Sequence, residues 1–365
     1  MAMRIALFNL PVDNNYGGML QRYALMTILQ RMGHDVTHLN LRPYHEIKSR
    51  CLPYHLAKQL FLHLIHKSTN KSLENYIAKK EYYHSVRAIE PFYQKHIKHS
   101  PIITDSSQLK EFNYFDAYVV GSDQVWRRSY YSQFEYTSAF LDFVKDRDNI
   151  KRIAYGVSFG TTSELLTDEE LSATTPLYRL FDRTSVREES ALNIFQKYGW
   201  NNPPAQHVID PTLLLTKEDY IKLITTAHTT NSKGTLLCYI LDENELSKKS
   251  EIDIASRKNL KPFKISIKQG KQISVEQWLR AFSDAEHVIT DSYHGLIFSL
   301  IFNKPFTLLK NSQRGNARFE SIINLFNLDC QSDYFDWMEI NKTIENYRSK
   351  SMAFLSSALQ VKVTK

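Results

Sequence analysis

The chain reads as an α/β protein of two Rossmann-like, doubly wound domains that face each other across a cleft. Three observations lead there. Short apolar strand patterns alternate with helical patterns along most of the 365 residues, the signature of parallel sheets covered by helices. The first strand, loop, helix and strand follow one another as a βαβ unit. The polar residues that stand out come directly after strands, where open α/β sheets bind their ligands.

The elements follow in order. Arg4 to Leu10 (RIALFNL) is a buried-type strand, and Pro11 to Gly18 is a turn-rich loop. Met19 to Met32 carries apolar residues at helical spacing, and Gly33 ends that helix. Val36 to Leu41 is the second strand, and a long helical section runs from about Cys51 to Ile97. Phe115 to Val120 leads into Gly121-Ser122-Asp123, and Ile153 to Phe159 forms a further strand. Thr184 to Val186 is followed at once by Arg187, Ala191 to Tyr198 is a helix, and His207 to Ile209 ends at Asp210-Pro211. In the second half, Thr235 to Leu241 and Phe263 to Ile267 are strands and Val275 to Ser283 is an amphipathic helix. Val288 to Thr290 is a strand that runs into the helix carrying His294, Phe306 to Leu309 is another, and Trp337 to Leu359 is a helical tail. The expected division is an N-terminal α/β domain over 1–200 with a helical insertion at about 51–100, a C-terminal α/β domain over 201–335, and a tail over 336–365 that has the N-terminal domain as one packing partner.

Composition narrows the function classes. A 42% hydrophobic fraction with 23% charged residues is that of a globular protein with a large core. No apolar run is long enough to cross a bilayer, because Asn303 and Pro305 break the apolar stretch after His294. The start, MAMRIALFNL, lacks a long apolar signal-peptide core, so a cytoplasmic protein is expected. Cys51, Cys238 and Cys330 are far apart and show no ligand spacing, which suggests reduced thiols and no metal site. The formal charge of +7 fits a nucleic acid, an anionic membrane surface or an anionic small substrate. No helix-turn-helix, zinc-finger or RNP pattern is present, so nucleic acid is not expected. The basic stretch from Lys48 to Lys98, interleaved with tyrosines and histidines, is either a solvated helical face or a surface for peripheral contact with anionic lipid head groups or an anionic polymer.

Several segments can carry chemistry. In Val288 to Pro305 the turn Thr290-Asp291-Ser292 opens the helix bearing His294 and Gly295. A helix N-terminus offers backbone N–H groups and a positive dipole end to an anion, and a histidine there can exchange a proton near neutral pH. Asp291 can cap this helix and orient the imidazole. The alternative is a histidine satisfied within the core. The loop Asn14-Asn15-Tyr16-Gly17-Gly18 is neither GxGxxG nor a P-loop, so it is either a binding loop or a capped tight turn, with Gln21 one helical turn on. Gly121, Ser122, Asp123 and Trp126 can bond sugar hydroxyls and stack on a sugar ring, or else cap a helix and pack in the core. Arg187 can fork onto a carboxylate or phosphate, or pair with Glu188, Glu189 or Asp182. Asp210-Pro211 reads as a turn signal in the cleft wall.

Taken together, NNYGGMLQRYAL (Asn14 to Leu25), FDAYVVGSDQVW (Phe115 to Trp126), AYGVSFG (Ala154 to Gly160), TSVREES (Thr184 to Ser190), VIDPTLLL (Val208 to Leu215) and TDSYHGLIFSLIFNKP (Thr290 to Pro305) resemble the polysaccharide pyruvyl transferase family in content and order. The resemblance implies a two-domain fold like the GT-B glycosyltransferases, with the N-terminal domain on the acceptor side and the C-terminal domain on the donor side. It implies transfer of a pyruvyl group from phosphoenolpyruvate to two hydroxyls of a sugar in a surface (capsule or exopolysaccharide) polymer or its precursor. The products are a cyclic ketal and phosphate. Phosphoenolpyruvate is then a co-substrate, with no cofactor, and the saccharide acceptor is free or lipid-linked. His294 is the expected acid/base. Arg187, Asp291, Ser292, Gly295 and Arg318 are expected on the donor side, and Asn15, Tyr16, Gly17, Gly18, Gln21, Gly121, Ser122, Asp123 and Trp126 on the acceptor side. Some members carry Arg-Leu before the His-Gly pair where this chain has Ser292-Tyr293, so Arg314, Arg318 or Lys304 is expected to supply the missing charge. Two rival functions stand beside this one. The first is a nucleotide-sugar glycosyltransferase on the same fold, with Asp291 or Glu320 as ribose ligand. The second is a non-catalytic carbohydrate-binding protein.

Overall fold

In a computed structural model of the protein, the described residues are 2–44, 53–54, 57–58, 71–160, 165–266, 272–309, 316–330, 332 and 334–360. Two fully parallel sheets organise them. The first takes β1 (Arg4–Phe8), β2 (Asp35–Leu41), β3 (His99–Ile103), β4 (Ala117–Val120), β5 (Lys151–Val157), β6 (Arg183–Val186) and β7 (Ala205–His207), in the order β3-β2-β1-β4-β5-β6-β7. The second takes β8 (Leu236–Tyr239), β9 (Pro262–Lys264), β10 (His287–Thr290) and β11 (Phe306–Leu308), in the order β11-β10-β8-β9. The α/β, two-sheet class expected from the strand–helix alternation is the class observed.

Strand order fixes where a ligand belongs. In each sheet the chain winds outward in two directions from one pair of strands, β1 with β4 and β8 with β10. The loops leaving such a pair diverge at their carboxyl ends and open a crevice. The two crevices face each other. Helix α1 (Tyr16–Arg31) bridges them: the Tyr16 hydroxyl donates to the Ile273 carbonyl at 2.7 Å and its ring stacks on Trp278 at 5.5 Å. One hydrophobic core accordingly runs from α1 and β1 into the second sheet, and a second core fills the other face of the first sheet.

Differences from expectation have local causes. The first sheet extends to β7, past the boundary expected at residue 200, because Ala205–His207 pair in parallel with β6 before the chain enters the second unit. The seventh strand is Ala205–His207 and not His207 to Ile209: Asp210 already caps a 3₁₀ turn at Pro211–Leu214, which draws the preceding residues out of the ladder. Of the expected helical section, α2 (Lys71–Val86) and α3 (Glu90–His96) are seen, while most of residues 48–70, with Cys51 and the proposed lipid-facing stretch, lies outside the described residues. The tail is one helix, Trp337–Leu359, which lies against the first sheet: the Ser351 hydroxyl accepts from the Ile209 N–H at 3.1 Å, and Phe354 meets the Tyr155 ring. No helix among the described residues is long and apolar enough to cross a membrane.

Candidate active site

A cleft of about 450 Å³ lies between the two strand pairs. From the first sheet come Asp13, Asn14 and Asn15 after β1, and Asp123, Gln124 and Arg127 after β4; from the second come Leu241 and Asp242 after β8, and Asp291, Ser292, Tyr293 and His294 after β10. Arg318 completes this rim.

His294 opens the helix α4 (Tyr293–Ile301), all nine residues of which are buried. A helix apolar on every face is a core helix, so its polar first turn is held rigidly at the cleft floor. Ser292 is the N-cap and accepts from the Gly295 N–H at 3.4 Å. Gly295 allows the helix to close on its own strand, since a Cβ there would lie 2.1 Å from Thr290 Oγ1. Asp291 neither caps the helix nor orients the imidazole, as the sequence had suggested. Its two carboxylate oxygens accept the N–H groups of Leu241 (2.6 Å) and Asp242 (3.0 Å), tying together the loops after β8 and β10.

The carboxylate that faces His294 is Asp210. Its Oδ2 lies 3.6 Å from His294 Nε2, 3.2 Å from Arg187 Nη1 and 2.6 Å from Gln21 Nε2. Oδ1 accepts from the Thr212 hydroxyl at 2.7 Å and the Thr212 N–H at 3.0 Å. Burial disfavours the charge of Asp210, but His294, Arg187 and Thr212 outweigh it and hold the carboxyl well below its usual range. Asp210 therefore favours the folded state fully above about pH 4, since its reference value is 3.8. That contribution is lost as the pH falls from there toward the lower folded value. The stability gap between the native protein and Asp210→Asn, measured by urea unfolding at pH 7, 5 and 3, is expected to be alike at pH 7 and 5 and smaller at pH 3.

Sequence reasoning missed Asp210 because Asp-Pro reads as a turn. Both functions coexist, since one oxygen caps the turn and the other faces the site. The hints were its place after an expected strand and its position in VIDPTLLL, one of the segments that carry the family resemblance.

Gly17 packs on the other side of the imidazole. A Cβ there would lie 2.0 Å from His294 Nδ1. Its neighbours in the loop make structural contacts. Asn15 caps α1 by accepting from the Gly18 N–H at 3.2 Å, Tyr16 joins the two units, and Gln21 is buried, bonding Asp210 and, at 3.4 Å, Ser122 Oγ. Gly121 carries a φ of 118°, and a Cβ there would strike the Tyr155 carbonyl at 2.2 Å. Ser122 donates to the Gly156 carbonyl at 2.9 Å. Of the expected acceptor-side residues, Asn15 and Asp123 line the cleft.

Trp126 is a correction. It is fully buried, stacked on Phe140 at 4.7 Å within a cluster that includes Tyr178, Phe195 and Trp200, and its indole N–H donates to the Ala139 carbonyl. The chain turns inward after Gln124, so this ring fills the core and no sugar can stack on it.

Arg187 also departs from expectation. Its side chain is 1% exposed and sits among Asp123 (3.3 Å), Asp210 (3.2 Å) and Glu188 (3.7 Å), beneath the Tyr293 ring at 4.9 Å. Asp182, offered as a partner, is instead bonded by the Arg152 N–H and Lys151. The arginines that reach the cleft among the described residues are Arg127 and Arg318. Arg318 lies over the other approach to Tyr293, at 5.5 Å from its ring. Lys304 follows the far, C-terminal end of α4 and is remote from His294, and Arg314 lies outside the described residues. Among the described residues no cluster of three or more His, Cys, Asp or Glu side chains has metal-binding geometry.

Comparison with known proteins adds the following. A family model described as polysaccharide pyruvyl transferase matches residues 15–313. No curated protein matches the chain. Among solved structures, a UDP-GlcNAc 2-epimerase from Methanocaldococcus jannaschii is 12% identical over 94% of this chain and 92% of its own, with a TM-score of 0.45. A UDP-GlcNAc 2-epimerase from Neisseria meningitidis bound to UDP-GlcNAc is 10% identical over 98% and 94%, with a TM-score of 0.47. An alpha-glucosyltransferase in complex with UDP and DNA is 11% identical over 97% and 95%, with a TM-score of 0.42.

Proposed function

Since the chain belongs to the polysaccharide pyruvyl transferase family, we propose that it moves a pyruvyl group from phosphoenolpyruvate onto two hydroxyls of a saccharide acceptor, with His294 as the proton-transfer group. The observation that carries this reading is an imidazole fixed on the cleft floor between Gly17 and Asp210, with Arg127 and Arg318 lining the same cleft. Protonated His294 gives its proton to the methylene carbon of the donor, whose π electrons form the new C–H bond and leave C2 electron-poor. A sugar hydroxyl attacks C2 and yields its proton to the imidazole. The C2–O bond to phosphate then breaks, phosphate keeps the electron pair, and the second hydroxyl closes the ketal, its proton leaving with phosphate. One histidine thus serves in both directions. In this reading Arg127 and Arg318 supply forked donors for the phosphate and carboxylate, and Asp123 and Asn15, which line the same cleft, take the acceptor hydroxyls.

The nucleotide-sugar alternative draws less support. Asp291 spends both oxygens on backbone N–H groups, and Glu320 is exposed and does not line the cleft. The test is thermal-shift titration with phosphoenolpyruvate beside UDP-, GDP- and CMP-sugars, because a ligand that binds only the folded state raises its stability with concentration. Stabilisation by phosphoenolpyruvate alone, lost in Arg318→Ala, supports the proposal. Stabilisation by a nucleotide sugar alone overturns it.

Gly17→Ala is expected to lower turnover by about a hundredfold, the scale of a displacement of about 1 Å in a reacting group, because the new methyl overlaps the imidazole. Phosphate release from phosphoenolpyruvate and acceptor, measured with the unfolding midpoint, checks it. An unchanged rate would show that the ring has room that the structure denies it.

A further inference from the structure

We propose that Asp210 is a positioning residue that anchors His294 through Nε2 and thereby makes Nδ1 the nitrogen that exchanges protons with substrate. This rests on the pyruvyl-transfer reading and adds which atom of His294 works and what holds it.

Four observations converge. Nε2 is buried and has no hydrogen-bond partner, and the nearest acidic oxygen is Asp210 Oδ2 at 3.6 Å. That distance is one of an ion pair and closes to a hydrogen bond with a small approach, as such contacts do on substrate binding. Asp210 itself cannot swing, since Thr212, Gln21 and Arg187 hold its two oxygens. Gly17 packs on the face of the ring, where a Cβ would lie 2.0 Å from Nδ1, 2.1 Å from Cγ and 2.6 Å from Cε1, and so restrains the ring from tilting away from Asp210. Finally, the residue lines the cleft while its Nε2 is sealed, so the nitrogen left for the cleft is Nδ1. The other charged or titratable groups around the pair are Arg187 and Asp123, and Tyr293, whose ring lies 5.1 Å from the imidazole. None of them offers Nε2 a closer acceptor among the described residues.

The chemistry follows from the anchoring. In the imidazolium form both nitrogens carry a proton, with Nε2–H directed at the carboxylate and Nδ1–H at the donor carbon. After Nδ1 gives its proton, the neutral ring is left as the Nε2–H tautomer. Its free lone pair on Nδ1 then faces the attacking hydroxyl. The carboxylate selects the tautomer that the second half of the reaction needs, and it also stabilises the imidazolium that reforms. In a comparable histidine–carboxylate pair, a wrong tautomer costs about 10⁴-fold in turnover.

The experiment is long-range ¹H–¹⁵N correlation of the imidazole nitrogens in the uniformly labelled full chain, with His294→Gln identifying the His294 signals. A single Nε2–H tautomer of the neutral ring is expected in the native protein. Asp210→Asn is expected to give a mixture, because an amide can accept from Nε2 or donate to it. Its kcat should fall while the KM for phosphoenolpyruvate is retained. A native ring in the Nδ1–H or a mixed form overturns the proposal, and so does an Asp210→Asn protein that keeps the pure Nε2–H form. If Asp210→Asn does not fold, the native spectrum alone decides. None of these spectra requires substrate, so their failure is distinct from a failure to use phosphoenolpyruvate.

Discussion

His294→Ala is expected to fold with a native circular dichroism spectrum and to lose turnover by about a hundredfold to ten-thousandfold, the range that a positioned acid/base contributes. The fold survives because the helix does not depend on the imidazole. Ser292 remains as cap, and the apolar residues from Leu296 to Ile301 stay buried. What would disappear is the group proposed to protonate the donor carbon. The carboxylate of Asp210 stays ionised beside Arg187 and Thr212, so the loss is one of chemistry and not of charge balance. The measurement is phosphate release under donor saturation, with thermal-shift binding of phosphoenolpyruvate as the control. Retained binding with lost turnover assigns the proton transfer to His294. A variant with native turnover removes it from the mechanism.

The second large effect falls on stability. Arg187→Ala is expected to cost about 3–5 kcal/mol, the scale for removing one partner of a buried ion pair. Three carboxylates, Asp123, Asp210 and Glu188, would be left without the cation that lies within 3.2–3.7 Å of each. Burial opposes the charge of the guanidinium, yet Tyr293 and the three acidic groups keep it protonated. Arg187→Lys retains the charge and not the fork, so a smaller loss is expected. Urea unfolding of both variants at pH 7 checks this. If Arg187→Ala keeps native stability while donor saturation is lost, Arg187 is a donor ligand in spite of its burial, and the cleft must open further than the structure shows. Its own loop makes that costly, since the same guanidinium holds together the turns after β4 and β7.

The sequence alone determined the class of fold, and it pointed to the strand ends around which the cleft is built. Strand and helix patterns are local properties: β1, β4, β8 and β10 are short, mainly apolar runs whose residues are nearly all buried, and the tail was expected over Trp337 to Leu359 and is observed there. Placing polar residues after strands needs only chain order, which is why His294, Asp123 and Asn15 could be assigned to one region before any geometry was known. What chain order cannot tell is which way a side chain faces. Arg187 comes directly after a strand and Trp126 lies in the loop that leaves one, as a ligand-binding residue should, yet Trp126 turns into an aromatic core and Arg187 under Tyr293. Asp291 and Asp210 exchanged the roles expected of them for a similar reason. A carboxylate three residues from a histidine competes with backbone N–H groups from a neighbouring loop, whereas one 84 positions away in the chain is brought within 3.6 Å by the packing of two sheets. Only the tertiary structure decides such pairings, because burial leaves each charged group no solvent to fall back on and forces it to find its partner across the interface.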